Sequence, residues 1–99
     1  PAGSEPGYRR PVVVVQGDAL NQTTIRTVIC VVLTTNLTLG EAPGNVLLDG
    51  KETGLAEDSV ANVSQIVTID RKRLAKPIGS LSDKQILLVL AGIDIVLGR

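Results

Sequence analysis

Two short apolar segments carry polar groups at one end, and these groups are the ones that could do chemistry. In Tyr8–Gln16, Arg10 and a proline precede a run of four valines. The segment Thr27–Asn36 ends in polar residues that begin with Thr34. If the two segments pair as antiparallel strands, the start of one meets the end of the other. A guanidinium would then lie beside a hydroxyl, and both groups suit a phosphate.

This pair of groups fits the cleavage of RNA, whose own 2′-hydroxyl can attack the neighbouring phosphate without a metal or a protein nucleophile. The protein must orient that attack and stabilise the negative charge that builds on phosphorus. Arg10 and Thr34 are therefore our candidate catalytic residues. Their spacing alone also fits a plain strand, because an arginine at a strand start is usually solvated and threonine favours strands.

Composition removes several other kinds of active site. The sequence has no histidine, which excludes the usual acid–base residue and most transition-metal sites. The acidic residues are scattered, so we expect no metal and no cofactor. Cys30 has no histidine partner, which argues against thiol catalysis. Neither a P-loop nor a dinucleotide-binding fingerprint is present.

Charge and hydropathy restrict the partners. Ten basic and ten acidic residues give a formal net charge of zero, which argues against strong nonspecific binding of nucleic acid but allows a few phosphate contacts. The basic turn Arg71–Lys76 is more typical of a solvated loop than of a site. The apolar stretch Ile86–Leu97 is too short to span a bilayer. We therefore expect a cytoplasmic protein with no membrane association.

The apolar runs predict one domain over residues 1–99, with a loop at 1–9, a β-sheet region at 10–80 and a C-terminal helix at 82–98. Continuous apolar runs predict strands covered on both faces. The fold class is α+β: a small, twisted, antiparallel and partly closed β-barrel with a C-terminal helix. The predicted strands are Val12–Val15, Arg26–Thr34, Asn45–Asp49, Asp58–Val63, Gln65–Asp70 and a short strand near Pro77–Ser80. The segments Asp58–Val63 and Gln65–Asp70 are either separate strands or one strand with a bend near Ser64.

The C-terminal helix has the clearest signature. Ser82-Asp83-Lys84-Gln85 fits a capping box, in which the serine and glutamine side chains satisfy the first backbone amides. Positions 86, 87, 90, 93 and 97 predict one broad apolar face. Most of the remaining helix surface is apolar too, so we expect the helix to pack on the sheet and also on a second subunit.

In their order and spacing, these segments resemble the MazF/PemK family of bacterial toxin endoribonucleases over nearly the whole chain. The resemblance implies a homodimeric toxin of a type II toxin–antitoxin system that cuts single-stranded RNA within a short sequence. Its products would carry a 2′,3′-cyclic phosphate and a 5′-hydroxyl. The implied partner is a cognate antitoxin, acidic and partly disordered, that covers the RNA groove. The matching segments are Gly3–Val12, Leu33–Asn36, Asp58–Val60, Gln65–Asp70 and Ile78–Ser82.

The resemblance also implies roles for individual residues. Arg10 and Thr34 match the family's catalytic pair. Ser4 and Glu5 match a mobile loop that borders the substrate. The substrate contacts are expected from Thr35, Asn36 and Gln65. The proton acceptor stays open between Glu5, Arg10 in an unusual state and water.

Two departures and one alternative accompany the resemblance. The family has a strand before the first loop, whereas this sequence begins at Pro1 within that loop, so we expect that strand to lie outside the sequence or to be absent. Pro6 stands where the family often has glutamine. The alternative is a non-catalytic toxin of the same fold that binds DNA gyrase, as CcdB-type toxins do. The Arg10-Pro11 motif and Thr34 favour the endoribonuclease.

Overall fold

The computed structural model describes residues 10–99. In this range the chain forms one sheet and one long helix. Short polar connections separate the apolar runs. Two of these connections hold single helical turns and two hold 3₁₀ helices, Leu37–Glu41 and Arg71–Arg73. In chain order the other elements are β1 (Val12–Val14), α1 (Asp18–Asn21), β2 (Thr27–Thr34), β3 (Val46–Leu48), α2 (Gly50–Thr53), β4 (Ser59–Asp70) and α3 (Asp83–Leu97).

The four strands of residues 10–99 form one antiparallel sheet in the order β1-β2-β4-β3. The sheet curls into a half-barrel, and α3 packs against β3 and β4. The predicted fold class, an antiparallel and partly closed barrel with a C-terminal helix, is confirmed. The two longest strands, β2 with 8 residues and β4 with 12, form the centre of the sheet.

A bulge in β4 curls the sheet. Val31 pairs with Ile66, but the next residue of β2, Val32, pairs with Asn62. Residues 63–65 of β4 therefore have no partner on β2. Extra residues on one strand bend it and increase its twist. The bend that the sequence predicts near Ser64 lies within this segment.

Alternation along the strands sends every second side chain into a small aliphatic core beneath α3. In β2, the odd-numbered Val31 and Leu33 enter this core, whereas the even-numbered residues belong to the opposite face of the sheet. The same alternation puts Val13 of β1 into the core. The buried cluster consists of Val13, Val31, Leu33, Leu48, Ala61, Val63 and Val89.

Helix α3 begins and ends where the sequence predicts. The Ser82 hydroxyl accepts from the Gln85 N–H at 3.1 Å, and the Gln85 side chain accepts from the Ser82 N–H at 2.8 Å. Gly98 ends the helix in the left-handed conformation, with φ of 74°. Within residues 10–99, no helix has the length and apolar character that crossing a membrane requires.

Three details of the sequence prediction are wrong. The covered face of α3 contains Ile86, Val89, Gly92 and Ile93, so Leu87, Leu90 and Leu97 are exposed. Val14 and Ile29 are 42% and 39% exposed, so cover on both faces fails at these two positions. It holds over residues 30–33 of β2, which are all buried.

Residues 77–80 form no strand. Instead, the Ser80 N–H donates to the Thr53 carbonyl at the end of α2. Gly79 lies so close to that carbonyl that a Cβ on it would reach 1.8 Å from the Thr53 oxygen. This contact with a helical turn replaces the strand pairing that the sequence suggested.

A close backbone contact joins α3 to the turn before β3. A Cβ on Gly92 would lie 2.1 Å from the Gly44 carbonyl oxygen and 3.1 Å from a methyl group of Val63. Gly44 itself has φ of 84°, a conformation that favours glycine. Glycine at position 92 therefore allows the helix to touch the turn directly.

We expect Gly92→Ala to lower the free energy of unfolding by about 1–3 kcal/mol, because the new methyl group meets backbone that cannot yield. The gain in helix propensity, about 1 kcal/mol, offsets only part of this cost. Urea unfolding monitored by circular dichroism measures the change. Gly17→Ala is the matched control, since a Cβ there meets nothing within 4 Å, and equal losses in both variants would contradict the close-contact argument.

Candidate active site

The register of β1 on β2 brings Arg10 next to Thr34. Val12 pairs with Val32, and the Leu33 N–H donates to the Pro11 carbonyl at 3.1 Å. One further residue along this antiparallel pairing puts Arg10 directly opposite Thr34. Opposed residues have Cα atoms about 4.5–5.5 Å apart and share one face of a sheet. Arg10 and Thr34 therefore occupy opposed positions at the open end of the β1–β2 hairpin, where a guanidinium and a hydroxyl can approach each other.

The Thr34 hydroxyl is held in place by the turn that follows it. Its oxygen accepts a hydrogen bond from the Asn36 N–H at 3.1 Å. Within residues 10–99, this hydroxyl donates to no protein acceptor. Thr34 is half-buried, so its hydroxyl proton can point toward a ligand above the sheet. One hydrogen bond therefore orients the Thr34 hydroxyl, whose proton is not used by another residue in the range 10–99.

Asn36 begins the 3₁₀ helix Leu37–Glu41. Its side-chain oxygen accepts from the Thr38 N–H at 3.3 Å and from the Thr38 hydroxyl at 2.7 Å. This Asx turn explains why β2 stops at Thr34, since the chain here satisfies its own amides locally. The Asn36 amide nitrogen donates to no described residue and is exposed, so it is open to a ligand.

Thr35, which follows Thr34 in sequence, lines a shallow cavity of about 510 Å³ beside α2. Lys51 and Glu57 also line this cavity, so it contains charges of both signs. Asp58 lies on the same wall, but its carboxylate accepts from the Gly50 N–H at 2.8 Å and thereby caps α2. The depression provides room for a polar ligand next to the end of β2.

Gln65 lies in the β4 bulge and is hydrogen-bonded to Asn62. The Asn62 side-chain amide donates to the Gln65 side-chain oxygen at 3.2 Å. Because Asn62 pairs with Val32, it lies on the Thr34 face of the sheet. Gln65 is exposed and keeps its amide N–H groups for a ligand. The bulge thus holds the polar side chain of Gln65 next to Asn62.

Sequence reasoning missed Asn45, which ties these pieces together. Its side-chain nitrogen donates to the Leu39 carbonyl at 2.8 Å and to the Asn62 side-chain oxygen at 3.3 Å. Its side-chain oxygen accepts from the Val63 N–H at 2.9 Å. One amide therefore holds the 3₁₀ helix after Asn36 and the bulge that contains Gln65. No local motif marks Asn45 in the sequence, because its partners come from two distant segments.

Other reactive groups are poorly suited to this site. Cys30 is buried, and burial raises the pKa of its thiol, so the thiolate is scarce at neutral pH. Among residues 10–99, no group of three or more histidine, cysteine or acidic residues is arranged to hold a metal ion. The arrangement offers arginine, hydroxyl and amide groups, which bind phosphate and base edges.

The strand register places Arg10 opposite Thr34, with Thr35 and Asn36 next in sequence. Gln65 bonds Asn62, which pairs with Val32 of the same strand, but neither Gln65 nor Asn62 is hydrogen-bonded to Thr34, Thr35 or Asn36. The predicted loop residues Ser4 and Glu5 lie outside the described residues. The assignment of these residues to one functional site stays a prediction.

Comparison with known proteins bears on this arrangement. The family described as PemK-like, MazF-like toxin of type II toxin-antitoxin system matches residues 1–97. Endoribonuclease MazF6 of Mycobacterium tuberculosis is 44% identical over 81 residues, which are 82% of this chain and 71% of the relative. Endoribonuclease MazF of Staphylococcus epidermidis is 38% identical over 96 residues, or 97% of this chain and 79% of the relative.

A solved structure agrees with the fold. The Mycobacterium tuberculosis toxin MazF-mt6 superimposes with a TM-score of 0.82 over 94% of this chain and 90% of that one. The two sequences in this superposition are 22% identical, so the likeness shows the fold alone.

We expect Asn45→Ala to lower the free energy of unfolding by about 2–4 kcal/mol, because it removes three hydrogen bonds and leaves the Val63 amide unpaired. Urea unfolding measures this loss. Gln65→Ala is the control, since Gln65 is exposed and accepts one bond from Asn62, and we expect it to change the free energy by less than about 1 kcal/mol. A neutral Asn45→Ala variant would contradict the linking role.

Proposed function

The chain belongs to the PemK-like, MazF-like toxins of type II toxin–antitoxin systems, and on this basis we propose that it cuts single-stranded RNA without a metal, using Arg10 and Thr34 as its catalytic pair. Curated relatives over most of its length are endoribonucleases. The observation that carries the assignment of the pair is the strand register, in which Arg10 lies opposite Thr34.

In the proposed reaction, the 2′-hydroxyl of the RNA gives its proton to Glu5 or to water as its oxygen attacks the adjacent phosphorus. The bond from phosphorus to the 5′-oxygen of the next nucleotide breaks, and that oxygen takes up a proton from water or from protonated Glu5. The products are a 2′,3′-cyclic phosphate and a 5′-hydroxyl. Arg10 binds two non-bridging phosphate oxygens through its planar fork, and its charge offsets the second negative charge that develops in the transition state. Arg10 acts as a cation here, because a guanidinium stays protonated in proteins.

Thr34 contributes a positioned donor. Its oxygen is fixed by the Asn36 N–H at 3.1 Å, so its proton can donate to a phosphate oxygen at little cost in side-chain entropy. Thr35, Asn36 and Gln65 surround this point as the proposed substrate contacts. Amide groups of this kind can bond the edges of unstacked bases. Ser4 and Glu5 complete the proposed site as the loop that borders the substrate.

The proposed assembly is a cytoplasmic homodimer of single-domain chains spanning residues 1–99. The outer side of α3 supports the dimer, because it exposes large apolar side chains that include Leu87 at 66% and Ile95 at 58%. A helix this apolar favours burial against a partner. As a member of a toxin–antitoxin family the toxin has an antitoxin partner, and we propose that this antitoxin is acidic, partly disordered and bound over the RNA site.

Cleavage of a long unstructured RNA tests the catalytic pair. We expect Arg10→Ala to lower the cleavage rate about 10²–10³-fold, because it removes the group that stabilises the developing charge. Thr34→Val should lose about 10²-fold, whereas Thr34→Ser keeps the hydroxyl and should stay within about tenfold of the wild type. A single 2′-deoxy substitution at the mapped site should abolish cutting there, and a chelator should not.

Arg73→Gln provides the matched control, since it removes an exposed arginine from a turn outside the site. Its rate should equal that of the wild type. Full activity in both Arg10→Ala and Thr34→Val would refute the assignment of the pair. A folded wild-type protein that cuts no RNA and instead inhibits gyrase would support the CcdB-like alternative.

Sedimentation tests the proposed dimer. We expect the wild type to sediment as a dimer and Leu87→Glu/Ile95→Glu to sediment as a monomer, because two buried charges would oppose association. Ile78→Glu changes a side chain that is 60% exposed but lies outside α3, so this control should remain dimeric. A dimer that survives both helix substitutions would show that α3 is not the interface.

A further inference from the structure

A second polar pocket lies at the other end of the sheet, where β2 begins and β4 ends. It has a volume of about 390 Å³ and is formed by residues 23–26 and 70–72. The Arg71 N–H donates to the Arg26 carbonyl at 2.8 Å, which extends the pairing of the two strands beyond Thr27 and Asp70. The pocket is therefore built from two paired backbone segments and has a defined shape.

Arg71 forms the inner wall of this pocket. Its Nη2 donates to the Asn21 carbonyl at 3.0 Å, and within residues 10–99 this is its one side-chain hydrogen bond. Its Nε is buried and has no hydrogen-bond partner in the described part of the chain. A buried N–H without an acceptor is costly. The guanidinium is thus held in place while most of its donors are unused.

The pocket concentrates positive charge in a chain whose formal net charge is zero. Arg26, Arg71 and Lys72 line it, and none of the three forms an ion pair with a residue in the range 10–99. The one carboxylate in the wall belongs to Asp70, and it accepts from the Lys72 N–H at 3.0 Å as the cap of the 3₁₀ helix. The local excess of cations favours an anionic ligand.

We propose that this pocket is a second phosphate-binding site for the RNA strand that is cut at Thr34, an inference that rests on the proposed function. Arg26 precedes β2 by one residue, and its even number assigns it to the same sheet face as Thr34. The residues between them on that face, Val28, Cys30 and Val32, are buried, so an RNA would span this stretch without contacting them. The two positions are eight residues apart along one strand, or about 26 Å at roughly 3.3 Å per residue. An RNA seated at Thr34 would reach the pocket several nucleotides from the scissile bond.

The chemistry of the pocket favours a phosphate of RNA over a carboxylate of a protein segment. The two guanidinium groups and the ammonium group can donate hydrogen bonds from several directions. This suits a phosphate, whose oxygens are arranged tetrahedrally. The Thr24 hydroxyl, which bonds no described residue, adds a neutral donor at the rim. The volume exceeds that of a single anion and leaves room for a ribose beside it.

Binding of uncleavable RNA tests the proposal. One probe is an RNA of about 20 nucleotides centred on the mapped cleavage site, and the other covers about six nucleotides around it, each with a 2′-deoxy scissile nucleotide. We expect Arg26→Gln/Lys72→Gln to weaken binding of the long RNA about tenfold and to reduce its salt slope by about 1, while binding of the short RNA changes less than twofold.

Arg73→Gln/Lys76→Gln is the matched control, because it removes two charges from the same turn but not from the pocket wall. It should change long-RNA binding less than twofold. The Arg71 Nε–H resonance gives a local readout, which we expect to shift with the long RNA and with inorganic phosphate but not with the short RNA.

Three outcomes would overturn the proposal: unchanged long-RNA binding in the pocket variant, an equal loss in the control variant, or a pocket-dependent loss of oligoglutamate binding without a loss of RNA binding. The last outcome would assign the pocket to an acidic protein segment. Cleavage by the wild type separates the two hypotheses. A wild type that cuts RNA without any pocket dependence refutes this inference alone, whereas a wild type that cuts nothing refutes the proposed function.

Discussion

The register of β2 between its two neighbours determines where every functional group lies. On one side, pairing with β1 brings Arg10 opposite Thr34. On the other side, pairing with β4 brings Asn62 onto the same face. A shift of one residue would send every side chain of the strand to the other face. Val31 and Leu33 oppose that shift, because it would remove them from the core cluster that they form with Leu48, Val63 and Val89. The packing of the core thus maintains the geometry of the site.

The polar surface opposite α3 depends on a different kind of constraint. The bulge of β4 leaves residues 63–65 without partners on β2, so the backbone there needs other acceptors and donors. Asn45, just before β3, provides an acceptor for the Val63 N–H, and the same side chain donates to the Leu39 carbonyl in the 3₁₀ helix that follows Asn36. One side chain, Asn45, therefore satisfies hydrogen-bonding groups of both the 3₁₀ helix and the β4 bulge.

Much of the fold could be predicted from local patterns, and the errors have a common cause. The pairing of Arg10 with Thr34 follows from two apolar runs and one short connection, and the capping box at Ser82 is a local signal as well. Asn45 and the pairing of Arg26 with Arg71 depend on contacts between distant segments, which a single sequence does not display. The strand predicted near Pro77–Ser80 failed for this reason, since the Thr53 carbonyl captures the Ser80 amide.

The contact between Gly92 and Gly44 links helix α3 to the turn that precedes Asn45. At this point helix and turn meet backbone to backbone, so no flexible side chain absorbs a displacement of either one. The neighbour of Gly44 in sequence is Asn45, whose amide holds both the bend of β4 and the 3₁₀ helix. A displacement of α3 would therefore be passed through this backbone contact to the residues that we propose bind RNA, so the proposed dimer interface and the proposed RNA site are coupled through Gly92 and Gly44.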